Sequence, residues 1–190
     1  MIPIKGYATF DPLKHCWIGS GFKTEWFHDL PIYKNDKIMD PLKKIADETE
    51  EDYQTLEKIL KDAGVQTYRS FLDINKVKSL KNIFRPPVTP RDHFAVVGEK
   101  LYAVGGAVDG FSSVLKMVPK ENLVLQPSLS GSEPPSISTA FIVRVGKDIY
   151  WDSKHNSNEI DTPDHLVEKY SKIWEDEGFR VHVSDRGYHS

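Results

Sequence analysis

Cysteine occurs once in these 190 residues, at Cys16. A single thiol excludes an intramolecular disulfide framework and any cysteine-rich zinc site, and it suits a reducing compartment. Long apolar runs are also missing. None approaches the roughly 20 residues of a membrane-crossing helix, and Met1-Ile2-Pro3-Ile4-Lys5 lacks the apolar core of a signal peptide. Neither sign of charge dominates: 25 Lys and Arg stand against 28 Asp and Glu, for a net charge of -3 and a pI near 6.2. That balance has no electrostatic footprint for nucleic acid. The acidic stretch at residues 47–52 is interrupted by Thr49 and reads as a solvated helix face. The seven histidines are scattered, with no His-x-x-x-His pair, so no metal site is expected. These absences point to a soluble cytoplasmic protein without metal or cofactor, with no membrane and no nucleic acid as partner. The length suits one domain, or one large piece of a domain.

What is present is punctuated by glycine. Residues 13–19 form a short apolar run, read as a buried strand entered through Asp11-Pro12. Residues 22–37 read as a polar, aromatic loop. A helix is expected from about Pro41 to Ala63, since Leu42, Ile45, Ala46, Tyr53, Leu56, Ile59, Leu60 and Ala63 recur at helical spacing. Asp40-Pro41 is its start signal and Gly64 its left-handed cap. Val65-Gln66-Thr67-Tyr68 then alternates like a strand. Residues 73–88 are irregular. Residues 93–97 and 100–104 flank Gly98-Glu99 as a hairpin, and residues 105–110 read as a flexible loop. A short strand is expected at residues 121–126, and a Ser- and Pro-rich loop at 127–136. Residues 140–145 and 148–151 flank Gly146-Lys147 as a second hairpin. Thr162-Pro163 would cap a helix carrying Leu166, Val167, Tyr170, Ile173 and Trp174; Gly178 ends it, and residues 179–183 return as a strand.

Helix, glycine and strand therefore recur, as do apolar hairpins with a glycine turn. This is a weak internal repeat of units that cannot bury their apolar faces alone. Such units must pack around a common centre or against a partner.

Two chemical motifs have plain readings. Cys16 lies within His15-Cys16-Trp17-Ile18, where a cysteine packs as a small hydrophobe. Its neighbour His15 points to the other face of a strand, so Cys16 is not read as a nucleophile. Gly19-Ser20-Gly21-Phe22-Lys23-Thr24 lacks the spacing and the following helix of a phosphate loop, and reads as a turn. Asp92, in Pro90-Arg91-Asp92, is either a turn residue entering the hairpin or part of a site.

The order of four motifs carries a resemblance. They are Asp11-Pro12-Leu13 with Trp17-Ile18-Gly19; Pro90-Arg91-Asp92 with Val96-Val97-Gly98; residues 141–149 around Gly146-Lys147-Asp148; and residues 179–189. In this order they resemble the glycine/arginine amidinotransferases of the pentein superfamily, with their phage and bacterial relatives. The likeness runs through most of the chain. It implies an α/β (α+β) fold: an incomplete pentein α/β-propeller of repeated ββαβ units, about half of the family's five. The units would cover approximately residues 1–90, 91–135 and 136–190 of one partial domain.

The resemblance also implies a chemistry. In the family a thiolate attacks the guanidino carbon of arginine and holds the amidino group, a histidine shuttles the proton, and an amine takes the group. His189 matches the proton-shuttling histidine in position, with a partnerless terminal histidine as the alternative. Asp92 and Arg91 match the substrate-binding positions, where a planar cation needs carboxylates set for forked hydrogen bonds; a structural carboxylate is the other candidate partner of Arg91. Two departures stand out. The family's nucleophilic cysteine lies beyond the part matched here. The aspartate expected at Ala140 or Phe141 is replaced, and no carboxylate stands between Glu133 and Asp148.

Three readings follow. The chain is one part of an amidinotransferase, inactive alone, that acts on arginine or another guanidino compound when a second polypeptide completes it. It is instead a non-catalytic structural or binding protein, as in a phage assembly, that self-associates through exposed strand edges. A related hydrolase, passing the amidino group to water, is the third.

Overall fold

The computed structural model describes residues 1–7, 11–21, 35–70, 89–103, 108–125, 137, 139–153 and 162–184. The expected loops at 22–34, 73–88, 105–107 and 127–136 lie outside them, as do Phe22-Lys23-Thr24 and His189. The chain forms two compact units. One joins Leu13–Pro90 with Asp109–Met117; the other joins Met1–Pro12, Arg91–Val108 and Val118–Ser190.

In the first unit, strands β1 (His15–Ile18) and β2 (Gln66–Arg69) pair in parallel, with Trp17 opposite Tyr68. A parallel pair needs a long crossover, and helix α1 (Asp36–Asp62) supplies it. The helix starts five residues ahead of Pro41, which corrects the expected start at Asp40-Pro41. The Asn35 side chain accepts a hydrogen bond from the Lys37 N–H at 3.0 Å, and the Asn35 carbonyl accepts from Ile38 and Met39. This asparagine cap satisfies the orphan donors earlier than the proline could. Pro41 is left inside the helix, where it forgoes one backbone bond.

The far end follows expectation. Gly64 donates to the Lys61 carbonyl and Val65 to the Leu60 carbonyl, both at 2.9 Å. That pair of bonds is a Schellman ending through a left-handed glycine, with φ +78° at Gly64.

A guanidinium fastens α1 to the sheet. Arg69 donates to both carboxylate oxygens of Glu50, at 2.9 and 2.7 Å, and to the Gly19 carbonyl at 3.2 Å. It also lies 5.4 Å from the centre of the Tyr53 ring. Glu50 further accepts from the Gly21 N–H at 3.3 Å. The exit of β1 is held a second time, because the buried Ser70 accepts from the Trp17 indole at 2.8 Å and its carbonyl from the Ser20 hydroxyl. Helix α2 is the single turn Pro90–His93. Helix α3 (Val108–Leu115) corrects the expected loop at residues 108–110. Phe111, Val114 and Leu115 are buried at helical spacing, and that burial outweighs the loop signal of Gly110. Phe111 meets Trp17 edge-on, with ring centres 5.3 Å apart.

The second unit holds two sheets of the same topology. Strands β3 (Phe94–Val97) and β4 (Lys100–Ala103) form a hairpin, and β5 (Leu123–Leu125) adds in parallel to β4. Strands β6 (Ile142–Val145) and β7 (Asp148–Asp152) form the next hairpin, and β8 (Arg180–Ser184) adds in parallel to β7. Each of these sheets keeps its three strands in chain order. Helix α4 (Asp164–Asp176) joins β7 to β8 and ends as α1 does, with Gly178 donating to Glu175 and Phe179 to Trp174. Thr162 does not cap it by its side chain. Its N–H donates to the Ser153 carbonyl, while the Pro163 carbonyl accepts from Leu166 and Val167.

The core of this unit is aromatic. Trp174 is fully buried, 5.3 Å from Trp151, 5.6 Å from Tyr102 and 6.0 Å from Tyr170. Val97, Ile137, Ile142, Ile149 and Phe179 complete the cluster.

The strand registers bring the repeats into correspondence. Tyr68 lies four residues past Gly64 and His182 four past Gly178; they pair with Trp17 and Tyr150. Tyr102 and Tyr150 each lie four residues past their hairpin glycines, Gly98 and Gly146. Trp17, Tyr102 and Tyr150 are thus one position of the repeat. One residue earlier, Cys16 corresponds to Leu101 and Ile149, both buried. Cys16 fills a packing position.

Two outcomes test this account. Trp174→Ala lowers the unfolding free energy by about 3–5 kcal/mol, read by urea denaturation; a change under about 1 kcal/mol would show that the aromatic cluster is not the core. Glu50 is held below the ordinary glutamate value of 4.5, chiefly by hydrogen bonds from Arg69. A depressed carboxyl stabilises the fold above its unfolded value, and that stability is lost as pH falls through the lowered value. With the Glu50 side chain 40% exposed, solvent screening limits the effect to about 1 kcal/mol. Glu50→Gln therefore costs about that much at pH 7 and flattens the acid side of the stability curve; an unaltered curve would contradict the fork.

Candidate active site

Both expected substrate-binding residues, Arg91 and Asp92, sit on α2 at the entrance to β3, and both are exposed. Asp92 also has a backbone role. Its carbonyl accepts a hydrogen bond from the Thr139 hydroxyl at 2.9 Å. Thr139 is buried and opens the short 3-10 turn Thr139–Phe141 that leads into β6. This bond brings the fronts of the two hairpins together. It sets Arg91 and Asp92 beside the turn that contains Ala140, where the resemblance calls for a carboxylate. Among the described residues neither Arg91 nor Asp92 has an ion pair.

The register defines what else reaches this end of the sheet. Ile142 pairs with Trp151, and Trp151 with Val183. The front of β6 therefore lies at the same end as the last residues of β7 and β8, Asp152 and Ser184. Ser153 secures that end, its N–H donating to the Ser184 carbonyl at 3.2 Å. Asp152 is a half-buried carboxylate that sequence reasoning passed over. Its signal was available in the alternation of Asp148-Ile149-Tyr150-Trp151-Asp152, which puts it on the polar face of the strand that ends here.

Asp148 is excluded as the missing group. It lies at the opposite, turn-facing end of the hairpin, paired with Val145. It accepts two bonds from Arg180, at 2.7 and 2.5 Å, and lies 2.9 Å from His182 Nε2. These partners, Arg180 first, hold its carboxyl well below the usual carboxylate range. Glu50 is likewise committed to an internal guanidinium.

Among the described residues nothing beside Cys16 would activate it. It is half-buried on β1, and burial pushes its thiol pKa up, which lowers the thiolate fraction. The neighbouring His15 lies on the opposite strand face and bonds the Tyr68 hydroxyl at 3.0 Å. Among the described residues no three His, Cys, Asp or Glu side chains are grouped to hold a metal ion. No described helix is long and apolar enough to cross a membrane.

No family model matches the sequence, and no curated protein sequence matches it. Solved structures do. The amidinotransferase SxtG from Microseira wollei, in the saxitoxin biosynthetic pathway, aligns over 96% of this chain at 16% identity with a TM-score of 0.61. The inosamine-phosphate amidinotransferase from Streptomyces griseus aligns over 98% at 14% identity with a TM-score of 0.63. The chain spans 62% and 64% of the lengths of those two proteins. At such identity the likeness concerns the fold: this chain has an amidinotransferase-like pentein fold of mixed α and β structure.

Proposed function

We propose that the chain handles the guanidino group in an amidino transfer whose thiol comes from a second polypeptide. The observation that carries this reading is the Thr139–Asp92 bond, which gathers Arg91, Asp92 and the front of β6 within an amidinotransferase-like fold. Asp92 would accept forked hydrogen bonds from the substrate guanidinium, and Arg91 would meet the α-carboxylate of arginine. Asp152, at the same end of the sheet, is the candidate for the carboxylate that Ala140 does not supply. His189 is the candidate proton carrier.

The step itself is simple to balance. The external thiolate attacks the guanidino carbon, the bond to the donor's amine nitrogen breaks, and a proton from His189 goes to the leaving amine. An acceptor amine then attacks the amidino carbon, gives its proton to the histidine and expels the thiolate. The reading of a partial propeller, with units near residues 1–90, 91–135 and 136–190, fits a chain that spans 62% and 64% of its two structural neighbours. A cytoplasmic setting fits the single thiol.

A second reading, a binding or structural protein without turnover, is favoured by Ala140 at the carboxylate position and by the packing role of Cys16. Calorimetry with arginine tests the shared part. Asp92→Asn should weaken binding at least tenfold, since a charged hydrogen bond contributes about 1.5–3 kcal/mol, with the circular dichroism unchanged; equal affinity, or no binding by either protein, would sink the reading. Mass spectrometry tests the thiol. After incubation with arginine Cys16 should carry no amidino adduct, and its reaction with a disulfide reagent should be slow at pH 7 and should still be rising with pH where an ordinary thiol has levelled off, because burial raises its pKa. An adduct on Cys16 would restore it as the nucleophile.

A further inference from the structure

Arg144 breaks the pattern of its own repeat. Counted from the hairpin glycines Gly98 and Gly146, it corresponds to Val96, and the registers agree: Val96 pairs with Leu101 and Arg144 with Ile149. Each lies on the first strand of its hairpin, at the edge of its sheet. The first sheet fills this position with an apolar side chain. The second puts a guanidinium there, on the face that carries the buried Ile149 and Trp151. A charge at such a place costs free energy unless it is paired.

Among the described residues Arg144 Nη1 is shut off from solvent without a hydrogen-bond partner. The contrast is with Arg69, forked onto Glu50, and Arg180, forked onto Asp148. Burial pulls the pKa of Arg144 below the ordinary arginine value, and the charge of Asp11 acts against that pull. Asp11 is exposed and acts as a nearby charge rather than through a hydrogen bond. The adjoining backbone is already engaged. Arg144 Nη2 lies 3.5 Å from where a Cβ on Gly6 would stand, and Gly6 donates to Gly98 at 2.7 Å and accepts from it at 3.1 Å. A side chain at residue 6 would strike Val96 at 2.5 Å, so glycine keeps that flank of the guanidinium clear. All of these residues belong to the second unit.

We infer that Arg144 is the receptor for a single carboxylate group carried by a ligand, bound beside Gly6 and Val96. The half-buried side chain keeps partial access to solvent, so the group can be reached. Two carboxylate oxygens match the planar fork of N–H donors. One negative charge balances the guanidinium, whereas a phosphate dianion would leave excess charge facing Asp11. The inference rests on the unpaired guanidinium and the repeat register, and does not depend on amidino transfer.

Proton–nitrogen NMR of the full-length chain, titrated with sodium acetate and, separately, with sodium chloride of equal ionic strength, provides the test. The Arg144 Nε–H signal and the backbone amides of Gly6 and Val96 should shift saturably with acetate and not with chloride. Arg144→Gln, with unchanged circular dichroism, should abolish the response of those amides. Arg144→Lys, which keeps the charge and loses the fork, should weaken it at least threefold, and decides the matter where the glutamine variant does not fold. Asp11→Asn should tighten acetate binding about twofold to fivefold, by removing a like charge near the rim. Equal drift with both salts overturns the proposal, as does a response that survives in folded Arg144→Gln. Acetate that binds only after Asp11→Asn overturns it too, because Asp11 would then be the resident partner. Tighter binding of inorganic phosphate than of acetate overturns the assignment to a carboxylate.

Discussion

One contact organises the rest: an aromatic ring, set at a fixed place on the central strand of a repeat, received by a helix from the following repeat. Tyr102 makes it with Trp174 and Tyr170, and Trp17 makes it with Phe111. A parallel crossover leaves two apolar sheet faces to be covered, and the helix of the same repeat can cover only one. The ring-on-helix contact covers the other. Burial of large rings in edge-on geometry suits this work, because it combines area with a preferred angle. Trp174 touches both Trp151 in its own repeat and Tyr102 in the preceding one.

Much of this framework is legible in the amino-acid sequence. The glycines at 64, 98, 146 and 178 mark turns that need a left-handed backbone, and between them the hydrophobic period switches plainly from two to that of a helix. Hairpins, long helices and returning strands fall where those signals put them. Misplacements arise where two local signals compete. Proline at 41 is a good first helical residue, but Asn35 caps sooner and the helix tolerates the proline inside. Glycines at 105, 106 and 110 suggest a loop, but the apolar spacing of Phe111, Val114 and Leu115 against a waiting sheet wins. Tertiary burial overrides local propensity in that case.

The candidate site is less legible, for a physical reason. Its parts come from the entrances and exits of different strands, and only pairing registers bring them together. Arg91 and Asp92 can be picked out as a turn motif. That the Asp92 carbonyl is held by Thr139, 47 residues away, has no local signature. Asp152 likewise becomes interesting only once the β6–β7 register shows which end of the sheet it shares. Asp148, nearer the expected position in the sequence, is removed from consideration by the same register, since it lies at the wrong end and is occupied by Arg180.

Amphipathic pattern also encodes which sheet faces stay uncovered. Strand β4 runs Leu101-Tyr102-Ala103, three consecutive buried residues, as a strand sandwiched on both sides should. Strand β7 runs Asp148-Ile149-Tyr150-Trp151-Asp152, a strict alternation in which Ile149 and Trp151 are buried and Tyr150 is not. The two strands share register, topology and the aromatic position, yet the charged residues of β7 keep its outer face compatible with water. A face that must exist in water before it meets anything has to tolerate solvent. Alternation provides that tolerance, while Tyr150, Val143 and Val145 keep enough apolar surface to gain from being covered. The same compromise appears on α1, where the exposed Leu56 and Ile59 stand close to the exposed Asp52. Exposed apolar residues on a helix and on a sheet thus stand at positions that the repeat fills elsewhere with partners.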